Sequence, residues 1–130
     1  MRNSEFFLSD LKRAKNLGSS GHGSEHWIMQ RMSALLLIPL ILWLIYFIYE
    51  VLNSDHNEIT DKIASPSNIA PLLLIALTSI YHSTLGMQVV IEDYVSCKCV
   101  RNFLIIGIQL FGFVTGFFLC FASIYFILKV

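Results

Sequence analysis

The sequence predicts an all-α fold of three transmembrane helices, and three observations predict it. The 130-residue chain is 55% hydrophobic and 14% charged, with mean hydropathy +0.65, against about 45–50% and 25% for a soluble globular domain. Asp, Glu, Lys and Arg are absent from three stretches, Met32–Tyr49, Pro66–Ile91 and Asn102–Leu128, each of 18 or more residues. These runs do not alternate apolar and polar residues as a barrel strand would. A helix needs about 20 mostly apolar residues to cross the roughly 30 Å hydrocarbon layer. Lipid offers no partner for a backbone N–H or C=O, so a helix is the spanning form open to such runs. The expected organisation is a single transmembrane domain over residues 1–130, with helices over about 27–50, 68–94 and 101–129.

Other function classes fall away on charge and cysteine content. Nine Lys and Arg balance nine Asp and Glu, which leaves no basic field to hold nucleic acid. Cys97, Cys99 and Cys120 are too few and too irregularly spaced for a disulfide framework or a four-ligand zinc site, and are expected as free thiols.

The segment 1–26 is basic, with Arg2, Lys12, Arg13 and Lys15. Its first apolar run begins only near Trp27 and exceeds the about 7–15 residues of a signal core, so no cleavable signal is expected. Phe6, Phe7, Leu8 and Leu11 suit either a short interfacial helix with Lys12 and Lys15 on its polar side or a disordered tail. Gly18–Ser24 has the composition of a flexible link. It leads to Trp27, whose amphipathic ring suits the membrane interface. Pro39 removes a backbone donor from the first helix and is expected to kink it. Pro66, Ser67, Asn68 and Pro71 supply a turn and a helix start, so the second helix should begin near Ile69. In the third, Gly112, Gly116 and Cys120 form a four-residue stripe of small side chains that lets another helix approach closely.

Lys and Arg set the orientation. Seven lie in the N-terminal segment and the second loop, counting Arg31, Lys98 and Arg101, against Lys62 and Lys129 on the other side. The expectation is N-terminus cytoplasmic, C-terminus on the far side.

His82 carries the chemistry. It is the one histidine within the charge-free stretches, since His22, His26 and His56 fall outside them. It sits thirteen residues, about 20 Å, beyond Ile69, near mid-membrane. An imidazole there has lost water at both nitrogens and requires partners, which makes it either a functional group or a structural hydrogen bond between helices. At about 100° per residue Gly86 and Val89 follow on its face, and Asp93 returns to within about 20° of its meridian. A porphyrin whose iron is held by His82 would lie against the adjoining turn, where Gly86 offers no side chain to obstruct it. A second axial histidine would then come from a partner protein. Asp93 and Tyr94 close this helix. A phenol there can donate to a quinone carbonyl and a carboxylate can relay protons; taken alone, the pair reads first as an aromatic interface anchor beside a solvated acid, and its place below a candidate haem raises the functional reading. Arg31 at the start of the first helix can snorkel, or, with His26, can pair with haem propionates.

The run His82-Ser-Thr-Leu-Gly86-Met-Gln-Val-Val-Ile-Glu-Asp93-Tyr94-Val95 resembles the signature of the hydrophobic membrane anchor subunits of succinate dehydrogenase, respiratory complex II. The stretch His26-Trp27-Ile28-Met29-Gln30-Arg31-Met32-Ser33-Ala34 resembles the start of the first helix in the alphaproteobacterial branch of that family. The first loop and third helix match only in character. The resemblance implies a three-helix anchor of the bacterial inner membrane, C-terminus periplasmic, which is not catalytic by itself. His82 would be an axial ligand of haem b, the other ligand coming from the cytochrome b556 subunit. Tyr94 and Asp93 would border the ubiquinone pocket shared with that cytochrome and with the iron-sulfur subunit, and Arg31 would lie near the haem propionates. Such an anchor fastens the flavoprotein and iron-sulfur subunits to the membrane in the tricarboxylic acid cycle and aerobic electron transport. Two alternatives stay open: the anchor of a quinol:fumarate reductase, and a small haem-free transporter or assembly protein that uses His82 and Asp93 as a proton path. The chain has neither a dinucleotide fingerprint nor the cysteines for an iron-sulfur cluster.

Overall fold

The computed structural model describes residues 23–129, all of whose regular structure is helical. The possible interfacial helix around Phe6–Leu11 lies outside the described residues. Four helices follow in order: α1 (Gly23–Leu52), α2 (His56–Ala64), α3 (Pro66–Tyr94) and α4 (Lys98–Lys129). Three of them, over Glu25–Leu52, Pro66–Tyr94 and Lys98–Leu128, are long and apolar enough to cross a membrane. At about 1.5 Å per residue each exceeds the roughly 30 Å hydrocarbon layer, so the helices tilt or their ends stand in the headgroups.

The expected spans are present, and each begins a few residues earlier than expected. α1 starts at Gly23, which takes the end of the glycine-serine link and His26 into its first turns. His26 is therefore helical and lies within the first apolar span, not outside it. The helix runs unbroken through Pro39. α3 starts at Pro66 in its first turn, with Ser65 in the cap position. The Ser65 hydroxyl bonds to that of Ser67 at 2.7 Å, and the Asn68 amide donates to the Lys62 carbonyl at 2.8 Å instead of capping the helix. α4 gains a turn because the Cys97 carbonyl already accepts from the Arg101 N–H at 2.9 Å.

The first loop holds a helix that hydropathy misses. α2 carries Ile59 and Ile63 one turn apart, and Asp55 precedes it with Glu58 three residues on, the spacing of a capping box. No side-chain cap bond forms at Asp55. The helix is fastened instead by Lys62 Nζ, which donates to Ser54 Oγ at 2.7 Å, and by the buried Ala64.

α3 is the middle of the bundle and packs on α1, α2 and α4. Gln30 and Ser33 of α1 meet Gly86 and His82 of α3, while Leu36 shares a depression with Leu77 farther along. Rising numbers on one helix meet falling numbers on the other, so α1 and α3 are antiparallel. Gly112 and Gly116 of α4 meet Thr84 and Leu77 of α3 with the same reversal. The small-residue stripe thus faces α3, as its spacing predicts. A Cβ at Gly112 would stand 2.9 Å from Thr84 Oγ1, and that hydroxyl is itself tied to the Ile80 carbonyl at 2.8 Å.

Burial is thin. Phe47, Ala64, Ile69 and Ile91 are the buried apolar residues, Ser33 and Thr78 the buried polar ones, and the large side chains of α4 are mostly exposed. The Trp43 and Phe47 rings stack at 5.1 Å toward the α2 end. At the opposite end the thiol of Cys97 accepts from the backbone N–H groups of Val100 and Cys99, which hold it below the usual thiol range.

The packing at α4 can be tested with a pair of glycine variants. Gly112→Ala should destabilise the α3–α4 pair by about 1–3 kcal/mol. Gly107→Ala, whose added Cβ meets nothing within 4 Å, should leave stability equal or raise it by up to about 1 kcal/mol; thermal melts of the two variants in detergent check the contrast. Because the lowered Cys97 pKa raises its thiolate fraction below the ordinary thiol range, iodoacetamide at about pH 7 should label Cys97 faster than Cys99 in solubilised protein, measured by peptide mass analysis.

Candidate functional site

His82 sits near the middle of α3, half-buried, facing Ser33 on α1. Ser33 Oγ lies 2.9 Å from His82 Nδ1 and also donates to the Gln30 carbonyl at 2.9 Å. A serine hydroxyl has one hydrogen. Both contacts are hydrogen bonds at once when the hydroxyl donates to the carbonyl and the imidazole donates from Nδ1, the tautomer that satisfies the whole arrangement. Nε2 then carries the lone pair, and it makes no hydrogen bond to any described residue. The fold thus presents one imidazole nitrogen fixed and the other bare, in the state in which a neutral histidine ligates a metal.

One turn beyond His82, a cleft of about 780 Å³ opens between α1 and α3. His26, Trp27, Gln30 and Arg31 line it from α1, and Gly86, Gln88, Val89 and Glu92 from α3. Gly86 serves close approach: a Cβ there would stand 3.3 Å from Gln30 Nε2. The bare face of Gly86 is therefore partly occupied by the Gln30 amide. Two buried polar atoms at this place, His26 Nε2 and Gln30 Oε1, have no hydrogen-bond partner. Leaving each unmade costs about 1–3 kcal/mol, so the cleft calls for groups beyond the described residues.

Arg31 lies with its guanidinium 4.4 Å from the Trp27 ring centroid, a cation–π contact on the cleft wall. Its exposed head stays near the helix start, which accords with snorkelling and keeps it available to an anionic group. Gln88 donates to Glu92 at 3.0 Å on the facing wall.

Asp93 and Tyr94 do not join this cleft. Both are exposed, Tyr94 at 83%, and neither bonds to another described residue. The reason lies in the register. Continued past Gln30–Gly86, the antiparallel pairing sets Asp93 against the first residue of α1, so its helical angle is right but α1 ends there. The structure brings His82, Gly86, Val89, Arg31 and His26 into one neighbourhood and leaves Asp93 and Tyr94 at its open end. Spacing did not point to Ser33 or Gln30 as site residues, although both lie in the Gln30-Arg31-Met32-Ser33 stretch; a polar pair three residues apart at the start of an apolar run is the available signal. Among the described residues no cluster of His, Cys, Asp and Glu could hold a metal ion unaided. A metal held by His82 would bring its other ligands with it.

Comparison with known proteins agrees with this architecture. The profile of the succinate dehydrogenase/fumarate reductase transmembrane subunits matches residues 9–119. The succinate dehydrogenase hydrophobic membrane anchor subunit of Rickettsia bellii is 49% identical over 109 residues, 84% of this chain and 87% of the relative. That of Rickettsia prowazekii is 44% identical over the same shares. The succinate dehydrogenase membrane anchor subunit of Reclinomonas americana is 38% identical over 77 residues, 56% of this chain and 63% of the relative. No solved structure matches the chain significantly. With the profile covering most of its length and a close relative aligned nearly end to end, the chain belongs to the family of succinate dehydrogenase/fumarate reductase transmembrane subunits.

Proposed function

We propose that the chain is the membrane anchor subunit of a succinate dehydrogenase, that it co-ligates haem b through His82, and that it forms one wall of a ubiquinone site at Tyr94 and Asp93. The observation that carries the haem assignment is the imidazole of His82, pinned at Nδ1 by Ser33 and bare at Nε2 in mid-membrane. The residues fit the group. A bare Nε2 supplies an iron ligand, while Arg31 and the unpartnered His26 supply donors for propionates on the cleft wall. Haem held there between His82 and a cytochrome b556 subunit would supply a site that takes up and releases one electron. The anchor catalyses nothing alone; the flavin and iron-sulfur clusters belong to the succinate-oxidising partners.

Tyr94 and Asp93 support the quinone reading by their place and their freedom. A phenol and a carboxylate side by side, unbonded and exposed at the end of α3, can respectively donate to a carbonyl oxygen and pass a proton from water. Arg31, Lys98 and Arg101 lie at the same end of the bundle. That basic end is the cytoplasmic one by the positive-inside rule, and the face on which the iron-sulfur and flavoprotein subunits dock in the bacterial inner membrane. The other reading in the family is a fumarate-reducing complex. The relatives' names favour the succinate dehydrogenase. A proton path from His82 to Asp93 has less support, since Gly86 and Val89 between them carry no relaying group.

In the purified complex, His82→Ala should abolish or strongly weaken the b-type signal of a reduced-minus-oxidised spectrum. Tyr94→Phe should lower succinate-to-quinone electron transfer about tenfold while dye-linked succinate oxidation stays at the wild-type rate, as loss of about one charge-free hydrogen bond to substrate requires. A full haem spectrum in His82→Ala would remove the ligand assignment, and wild-type quinone reduction in Tyr94→Phe would remove Tyr94 from the site.

A further inference from the structure

We propose that Ser33 is a positioning residue for the iron ligand: through its two hydrogen bonds it fixes the tautomer and ring orientation of His82 and thereby sets the affinity and electronic character of the bound haem. The inference rests on the reading of His82 as a haem ligand and goes beyond it by assigning the group that prepares that ligand.

Ser33 is 6% exposed and lies on a different helix from His82. It is the side chain that ties α1 to α3 by a side-chain hydrogen bond among the described residues. Its hydroxyl hydrogen is committed to the Gln30 carbonyl at 2.9 Å, three residues back on the same helix. The backbone therefore aims the oxygen lone pairs at α3, and the imidazole meets them with Nδ1–H at 2.9 Å. Water cannot substitute in mid-membrane. Without the hydroxyl, Nδ1–H has no acceptor among the described residues, and the ring is free to rotate about its side-chain bonds or to exchange tautomers. Partners of this kind on a ligating histidine raise its basicity and hold its plane, and their loss typically lowers metal affinity about 10- to 100-fold. The bonded carbonyl lies on Gln30, whose amide side chain rests against Gly86, so the same short stretch of α1 orders both the ligand and the cleft beside it.

The experiment uses the whole complex purified with Ser33→Ala, Ser33→Thr and His82→Ala anchors, with intact assembly checked by size exclusion. Haem per complex under graded haem supply, the midpoint potential of the haem, and its low-temperature paramagnetic resonance spectrum are measured in each. Ser33→Thr should match wild type, because its hydroxyl reaches both partners. Ser33→Ala should need about 10- to 100-fold more haem for half-loading, and its remaining haem should show a shifted potential and altered resonance positions. Where Ser33→Ala fails to assemble, the Ser33→Thr and Ser33→Val pair takes its place, equal in size and differing in the hydroxyl. Wild-type loading, potential and spectrum in Ser33→Ala, or identical behaviour of the Thr and Val variants, would overturn the positioning role while His82 still binds haem. Haem retained in His82→Ala would overturn the ligand reading itself, and the role of Ser33 with it.

Discussion

In hydrocarbon a polar group has no water to fall back on, and this constraint organises the molecule from backbone to site. It makes the three long segments helical, since only a helix satisfies each backbone group within its own run. It also explains the polar side chains that the spans tolerate. Thr84 and Ser123 return their hydroxyl hydrogens to carbonyls one turn back, at 2.8 Å each, and so are neutralised on their own helices. Ser33 does the same toward Gln30 but keeps its oxygen for a second helix. That difference turns an ordinary intrahelical bond into the device that orders an imidazole.

The same constraint separates structural polar groups from functional ones. His82 is half satisfied, while His26 and Gln30 each keep one buried atom without a partner. A bundle with so few buried side chains has little apolar burial with which to offset such atoms. Their persistence at one place, beside a cleft of about 780 Å³ with Arg31 on its wall, marks where groups beyond the described residues would complete the site. The exposed apolar surface of α4 tells less, because lipid covers such a face as well as a protein does.

The fold was legible in the sequence to the extent that it depends on hydropathy. The charge-free runs placed all three spans, and the glycine stripe on the last helix faced a neighbour as its spacing implied. Helix starts were less legible, because the helices at Pro66 and Lys98 begin through first-turn backbone bonds to Ser65 and Cys97, which hydropathy does not register. α2 escaped because nine residues with mixed charge carry no membrane signal, although Asp55 and Glu58 hold the capping spacing. In the site, the one-helix relation of His82 to Gly86 was legible from spacing. The cross-helix relation of His82 to Ser33 was not, since it depends on the register between α1 and α3. Asp93 shows the limit from the other side: its angle around α3 places it with His82, yet α1 stops short of it.

That register also separates the two ends of the proposed chemistry. The His82 ring is held between α1 and α3 by its contact with Ser33, so these two helices set its orientation. Tyr94 and Asp93 lie level with the first described turn of α1, and both are exposed among the described residues. The two sites therefore depend on assembly in different ways. The imidazole is oriented by an intrachain hydrogen bond, which on the proposed reading prepares it for iron and a second ligand. On the proposed reading the phenol and carboxylate would gain the remaining walls of a pocket from groups beyond the described residues, and protons would reach a quinone there from the basic end of the bundle.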